Sequence, residues 1–264
     1  MKNTFFDNKF DLIVSLGEDC ACTSYLRRFN LQNHSYPFDW LTNGHFENRI
    51  ELVVNNFKDF INKDDLKEME RPKHFPPDSL HKYYENTRTK LYFWHDFSLN
   101  IDFDEDYNAV KEKYDRRIKR FYEEIEKSEK VLFVWLSHSS VQDVELIKET
   151  YSRFTNKFLG KEIFLLMIEN SSDYSVQSLE NDHIMIVNQD TVSDDKKHHY
   201  DPTMGNKTNN LKVFKKIRLK TTFLEKLNRF AYSAAIFIAG LIPNRGLRQK
   251  AKANINMYFY HAKL

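Results

Sequence analysis

Residues 11–16 (DLIVSL) form a short, nearly continuous apolar run, the pattern of a strand buried on both faces. From Cys20 the spacing changes: Cys22, Tyr25, Leu26 and Phe29 fall at steps of three, one and three, which predicts a helix directly after that strand. A second helix is predicted over HFENRIELVVNNFKDFI, where Phe46, Ile50, Val53, Val54 and Phe57 recur at helical intervals. KYYENTRTKLYFWHDF places β-formers on both sides of a polar centre and predicts a hairpin or two short strands ending at His95 and Asp96. The clearest amphipathic helix follows, with Tyr107, Val110, Tyr114, Ile118, Phe121 and Ile125 on one face. Buried strands are predicted at KVLFVWL (130–136), EIFLLMI (162–168) and HIMIVN (183–188), with a helix over SVQDVELIKETYSRF between the first two.

Strand, helix, strand in repeated order predicts an α/β fold. The expected architecture is a mostly parallel sheet with helices on both faces, Rossmann-like or hydrolase-like, followed by a basic C-terminal helical segment. HSYPFDWLTNG reads as an ordered aromatic loop, and ERPKHFPPDSL, with three of the six prolines, is expected to carry no regular element. The expected division is an α/β domain over 1–210 and a basic amphipathic segment over 211–264.

Composition narrows the class. An apolar content of 41% and an aromatic content of 15% support a folded core and argue against disorder. Six glycines and six prolines are few for a barrel or sandwich of many tight turns. Two cysteines in C-x-C spacing build no disulfide framework, and the first residues lack a secretory signal pattern, so a reducing, cytoplasmic setting is expected. The net charge of +2 hides an asymmetry: from Leu211 onward 12 Lys and Arg face one acidic residue, Glu225. That segment therefore carries +11 and residues 1–210 carry −9. An acidic body disfavours nucleic acid as a partner.

In an open parallel sheet, ligands bind beyond the carboxyl ends of the strands. Cys20 sits just past such an end, near a helix N-terminus that favours a thiolate and offers oxyanion donors. Glu18 and Asp19 immediately before it act in the other direction and raise the thiol pKa, and Asp19 also reads as a simple N-cap. Buried packing is the competing reading for the thiol. His138 lies at the carboxyl end of the strand 130–136 and is a candidate base. His198 and His199 lack metal-site spacing, although the pair beside Asp201 suits substrate binding. No glycine-rich phosphate loop, zinc-type cysteine pair or H-E-x-x-H is present, and no metal or cofactor is expected.

SLGEDC, then LRRFNLQNHSYPFDWL, YEN, WHDF, and VKEKYDRRIKRF running into KVLFV resemble a bacterial domain family of unknown function labelled "putative papain-like cysteine peptidase". The resemblance covers roughly residues 10–170. It implies Cys20 as nucleophile and His95 as base, with Asp96 or Asp39 as orienter. Papain-like partners meet in space and not in sequence, which suits His95, while the alternation of strands and helices fits a Rossmann-like or hydrolase-like sheet better than a papain fold. Gly17, Trp40, Asn86 and His138 are candidate substrate-binding positions. Bland readings stand beside them: Asp39 in a turn, Trp40 in the core, His95 as a satisfied structural histidine, and Asn86 in a hairpin turn.

The expected function is a thiol-nucleophile enzyme, a papain-like peptidase-type hydrolase or an acyltransferase, acting on a small-molecule, peptide or glycan-linked acyl substrate. Two alternatives remain. LIPNRGLRQKAK is similar to the ends of some capsular-polysaccharide glycosyltransferases, which implies a surface-polysaccharide biosynthesis protein held peripherally on the inner membrane. The other is a non-catalytic binding module. Residues 225–264 carry an apolar stretch, Phe230 to Ile242, bracketed by Lys and Arg, too short to span a bilayer and suited either to core packing or to an anionic membrane surface.

Overall fold

The computed structural model describes residues 4–73, 75, 79–139, 143–192 and 205–261. The chain divides into two units, 1–219 and 220–264.

The first unit is α/β. Its main sheet has the order β1-β6-β7-β9-β8, built from β1 (Leu12–Ser15), β6 (Lys130–Leu136), β7 (Glu162–Asn170), β9 (Ile184–Gln189) and β8 (Ser175–Leu179). The first four run parallel, and β8 pairs antiparallel at the edge. Alternation along each strand sends side chains to two cores. Val14, Phe133, Leu165 and Ile186 meet α2 (Phe46–Val54), α3 (Phe103–Lys127) and α4 (Val144–Lys157). Ile13, Val134, Leu166 and Val187 meet α1 (Cys20–Arg28) and α5 (Lys207–Phe214), where Tyr25 stacks on Phe214 with ring centroids 4.8 Å apart. Burial on both faces is why these strands read as unbroken apolar runs.

A second, antiparallel sheet has the order β2-β5-β4-β3, from β2 (Leu41–Asn43), β3 (Leu66–Met69), β4 (His81–Asn86) and β5 (Leu91–Ser98). The hairpin expectation for β4 and β5 matches this arrangement. Three strands were not expected from the sequence. β2 is three residues inside the aromatic loop, fixed by the pairing of Leu41 with Phe93. β3 and β8 are polar edge strands with little apolar alternation to show. The second helix also ends sooner than its spacing predicts, because Asn56 and Phe57 adopt left-handed φ of 56° and 54°. Phe57 stays buried nonetheless.

The second unit contains α6 (Phe223–Gly240) and α7 (Arg245–His261), which pack on each other with Ala239 buried. Asn244 starts α7: its Oδ1 accepts the Leu247 N–H at 3.1 Å and its carbonyl accepts the Arg248 N–H at 2.9 Å. Among the described residues, no helix is long and apolar enough to cross a membrane.

Candidate active site

The chain leaving β1 continues alongside β6, with Leu16 N–H donating to the Val134 carbonyl at 2.7 Å and Glu18 N–H to the Leu136 carbonyl at 3.0 Å. The turn between strand and helix depends on Gly17, because a Cβ there would lie 2.3 Å from Cys22 Cβ. Asp19 then caps α1, its Oδ1 accepting the Ala21 N–H at 2.8 Å. Cys20 is the first residue of the helix and is half-buried. Cys22 is fully buried and donates to the Val134 carbonyl at 3.5 Å, and burial pushes its thiol up to about 12. Of the two thiols, Cys20 alone is partly exposed.

His138 lies two residues beyond the end of β6, over the same turn. Glu18 Oε2 accepts its backbone N–H at 2.9 Å and the Ser137 hydroxyl at 3.0 Å. The imidazole Nδ1 is 3.3 Å from Thr191 Oγ1, and that hydroxyl donates its single proton to the Ser137 carbonyl at 2.7 Å. The hydroxyl can therefore only accept from the ring, which places N–H on Nδ1 and leaves Nε2 as the basic nitrogen of the neutral imidazole. Nε2 is 3.6 Å from Asp19 Oδ2, with no hydrogen bond to it. The residue after Asp19 is Cys20. Asn170 ties the site across three strand ends, donating to the His138 carbonyl at 3.2 Å and accepting the Thr191 N–H at 3.2 Å. Gly205, with φ of +57°, packs its backbone so close that a Cβ would lie 2.7 Å from His138 Cε1.

The two carboxylates are driven in opposite directions. Burial pushes both upward. At Glu18 the hydrogen bonds from His138 N–H, Ser139 and Ser137 outweigh it, and the carboxyl sits below its usual range. At Asp19 burial prevails over the pull of His138 and the Ala21 N–H, and the carboxyl sits above its usual range. A lowered carboxyl contributes stability while ionised, fully present above its ordinary value of 4.5 and lost as pH falls through the lower folded value. Glu18→Gln is therefore expected to unfold at lower urea than the native chain at neutral pH, with the gap closing in acid. Tryptophan fluorescence across a pH series measures it, and a gap that stays constant into strong acid contradicts the assignment.

Beneath the turn lies Arg49, fully buried on α2. Its Nη2 donates to the carbonyls of Glu18 at 3.0 Å, Leu41 at 3.3 Å and Asn43 at 2.8 Å, while Nε and Nη1 have no hydrogen-bond partner. Burial lowers the guanidinium to about 10, against the opposing pull of Asp19 and Glu18, so it remains a cation at neutral pH. At the same end of the sheet a cleft of about 760 Å³ runs past Tyr174, Gln189, Asp190, Asn209 and three lysines of the α5 region, Lys212, Lys215 and Lys216.

The other candidate residues lie elsewhere. His95 is on β5 of the antiparallel sheet, its ring near Trp40, Phe75 and His81 with centroids 6.4, 5.6 and 6.1 Å away. Burial holds this imidazole below its usual value, with Asp96 opposing and His81 adding to the shift. Asp96 points to the opposite face, toward α3, bonded to Lys113 at 2.7 Å and the Tyr114 hydroxyl at 3.0 Å. Asp39 is buried and accepts from Thr23 Oγ1, Gln32 Nε2 and the Tyr36 N–H, which binds the aromatic loop to α1. Trp40 is half-buried with the Arg27 guanidinium 4.9 Å over its ring. Asn86 is buried and committed to the hairpin, accepting the Arg88 and Thr89 N–H groups and donating to the Phe60 carbonyl. His198, His199 and Asp201 lie outside the described residues. Among the described residues no group of three His, Cys, Asp or Glu side chains is placed to hold a metal ion.

Residues 11–173 match a domain family of unknown function described as "Putative papain-like cysteine peptidase". The chain belongs to that family. Membership of this papain-like peptidase family supports a thiol-nucleophile enzyme as the general class, and its description carries no acyltransferase or polysaccharide-biosynthesis assignment. A curated relative, the uncharacterized protein R408 of Acanthamoeba polyphaga mimivirus, is 29% identical over 190 residues, covering 64% of this chain and 83% of the viral protein. Because that relative is viral, the expectation of a specifically bacterial family is not supported. No solved structure matches the chain.

Proposed function

We propose that this chain is a cysteine hydrolase in which Cys20 attacks an acyl carbon and His138 is its base. The observation that carries this reading is the fixed tautomer of His138, with its basic Nε2 3.6 Å from the carboxylate of the residue preceding a half-buried thiol. In the reaction, Nε2 takes the Cys20 proton and the thiolate bonds to the substrate carbonyl carbon, whose oxygen becomes an oxyanion beside the positive N-terminal end of α1. The imidazolium returns the proton to the leaving nitrogen as the carbon–nitrogen bond breaks. Water, deprotonated by the same imidazole, then cleaves the thioester and frees Cys20. Asp19 stabilises the imidazolium, and Glu18 holds the backbone of His138 in register. The neighbouring cleft has room for a peptide-sized acyl group, and its lysines favour one carrying negative charge.

Brief treatment with iodoacetamide followed by mass mapping tests the reading. Cys20 is expected to be modified, with an ionisation midpoint below the value of about 8.5 typical of a free thiol, while Cys22 stays unmodified. Alkylation of Cys20 no faster than a free thiol at neutral pH, with no inflection below that value, removes the activated nucleophile.

A further inference from the structure

The second unit presents an apolar stripe that α7 does not cover. Leu227, Phe230, Phe237, Ile238 and Leu241 are 52, 72, 69, 65 and 67% exposed. At 3.6 residues per turn the four on α6 fall within an arc of about 100°, with Leu241 in the turn that follows. Ala239, the buried residue of α6, points away from that arc. The hairpin thus leaves one side of α6 as exposed hydrocarbon although α6 and α7 pack on each other.

Charge selects what can cover it. From Phe223, where α6 begins, to Leu264 the chain has seven Lys and Arg against one acidic residue, Glu225. Arg245, Lys250 and the half-buried Arg248 lie in the first turns of α7, next to the turn that carries Leu241. A second copy of the hairpin brings the same net positive charge and is repelled. A nucleic acid satisfies the charge but not five exposed apolar side chains. An anionic lipid surface satisfies both, and among the described residues no helix is long and apolar enough to cross it.

We propose that the α6–α7 hairpin lies in the interface of an anionic bilayer, with Leu227, Phe230, Phe237, Ile238 and Leu241 at the acyl boundary and the basic residues of α7 against the headgroups. This inference is independent of the Cys20 reading and concerns where the protein works, not what it cleaves.

Co-sedimentation of the full chain with phosphatidylcholine vesicles, with and without phosphatidylglycerol, tests it. Binding is expected to the anionic vesicles and to weaken with added salt. Arg245→Gln/Arg248→Gln/Lys250→Gln is expected to lower the partition coefficient about 100-fold, roughly fivefold for each cation removed. Phe230→Gln/Phe237→Gln, at exposed positions where folding is least at risk, is expected to lower it by at least about tenfold while helix content by circular dichroism is kept. The proposal is overturned by failure to bind anionic vesicles, by equal binding to neutral ones, or by binding that the phenylalanine variant leaves unchanged. A dimer in light scattering that anionic vesicles do not dissociate would assign the stripe to a second copy instead. Cys20 alkylation is expected to be the same in these variants, so loss of membrane binding and loss of thiol reactivity are separable.

Discussion

His138→Gln is expected to slow Cys20 alkylation at neutral pH by about 100-fold and acyl hydrolysis by about 100- to 10,000-fold, the range over which a positioned base contributes. Glutamine has a similar reach and can still bond to Thr191 Oγ1, but it cannot accept a proton. The fold is therefore retained while the proton transfer is lost. Thr191→Val is expected to produce a smaller loss of the same kind, since it frees the ring to exchange tautomers and deprives Nδ1 of the acceptor 3.3 Å away. The decisive comparison is His95→Gln. Its ring sits on the antiparallel sheet beside Trp40 and Phe75, and the carboxylate that would orient it, Asp96, is turned to the other face and bound to Lys113 and Tyr114. His95→Gln is expected to change the alkylation rate by less than about twofold, in line with a residue outside the proton path. If His95→Gln abolishes labelling and His138→Gln does not, the base lies on the second sheet and the mechanism proposed above is wrong.

The parts of this fold that were legible in the sequence are those whose burial is periodic. β1, β6, β7 and β9 are unbroken apolar runs because both faces are covered, and α3 shows its stripe over 25 residues because one face packs and the other is solvated. β3 and β8 carried no such mark: as polar edge strands they are recruited by the neighbours they pair with. The turn bearing Cys20, and His138 at a strand end, were legible for a topological reason, since parallel strands deliver their loops to one edge. Their supporting residues were harder to read. Ser137, Asn170 and Thr191 each stand at or just beyond the end of a predicted strand, a signal that could have found them, but Gly205 reaches His138 from a segment without periodicity. Glu18 appeared in the sequence only as a charge opposing the thiolate. In the structure it holds the backbone of the candidate base.

Arg49 shows how a site residue can be visible and still be passed over. It falls on the apolar stripe of α2 with Phe46, Ile50 and Val53, where an unpaired cation is out of place unless backbone carbonyls receive it. Arg49→Met is expected to lower stability by about 3 to 5 kcal/mol, read as a shift in urea midpoint. Two effects compete. Methionine ends the burial of a guanidinium with two donors unspent, which by itself favours the variant. It also leaves the carbonyls of Glu18, Leu41 and Asn43 without their shared donor, at about 1 to 3 kcal/mol for each that water cannot reach. Three acceptors outweigh two donors, because exchanging a buried ionic group for hydrocarbon is neutral only when every partner is exchanged with it. Arg49→Lys is expected to fall between, keeping the charge but not the guanidinium geometry that lets Nη2 reach both the carbonyls of β2 and the turn that bears Cys20. Since the Glu18 carbonyl belongs to that turn, Cys20 alkylation is expected to slow in parallel with the loss of stability. A methionine variant at least as stable as the native chain would show that Arg49 is tolerated in the core without anchoring the site.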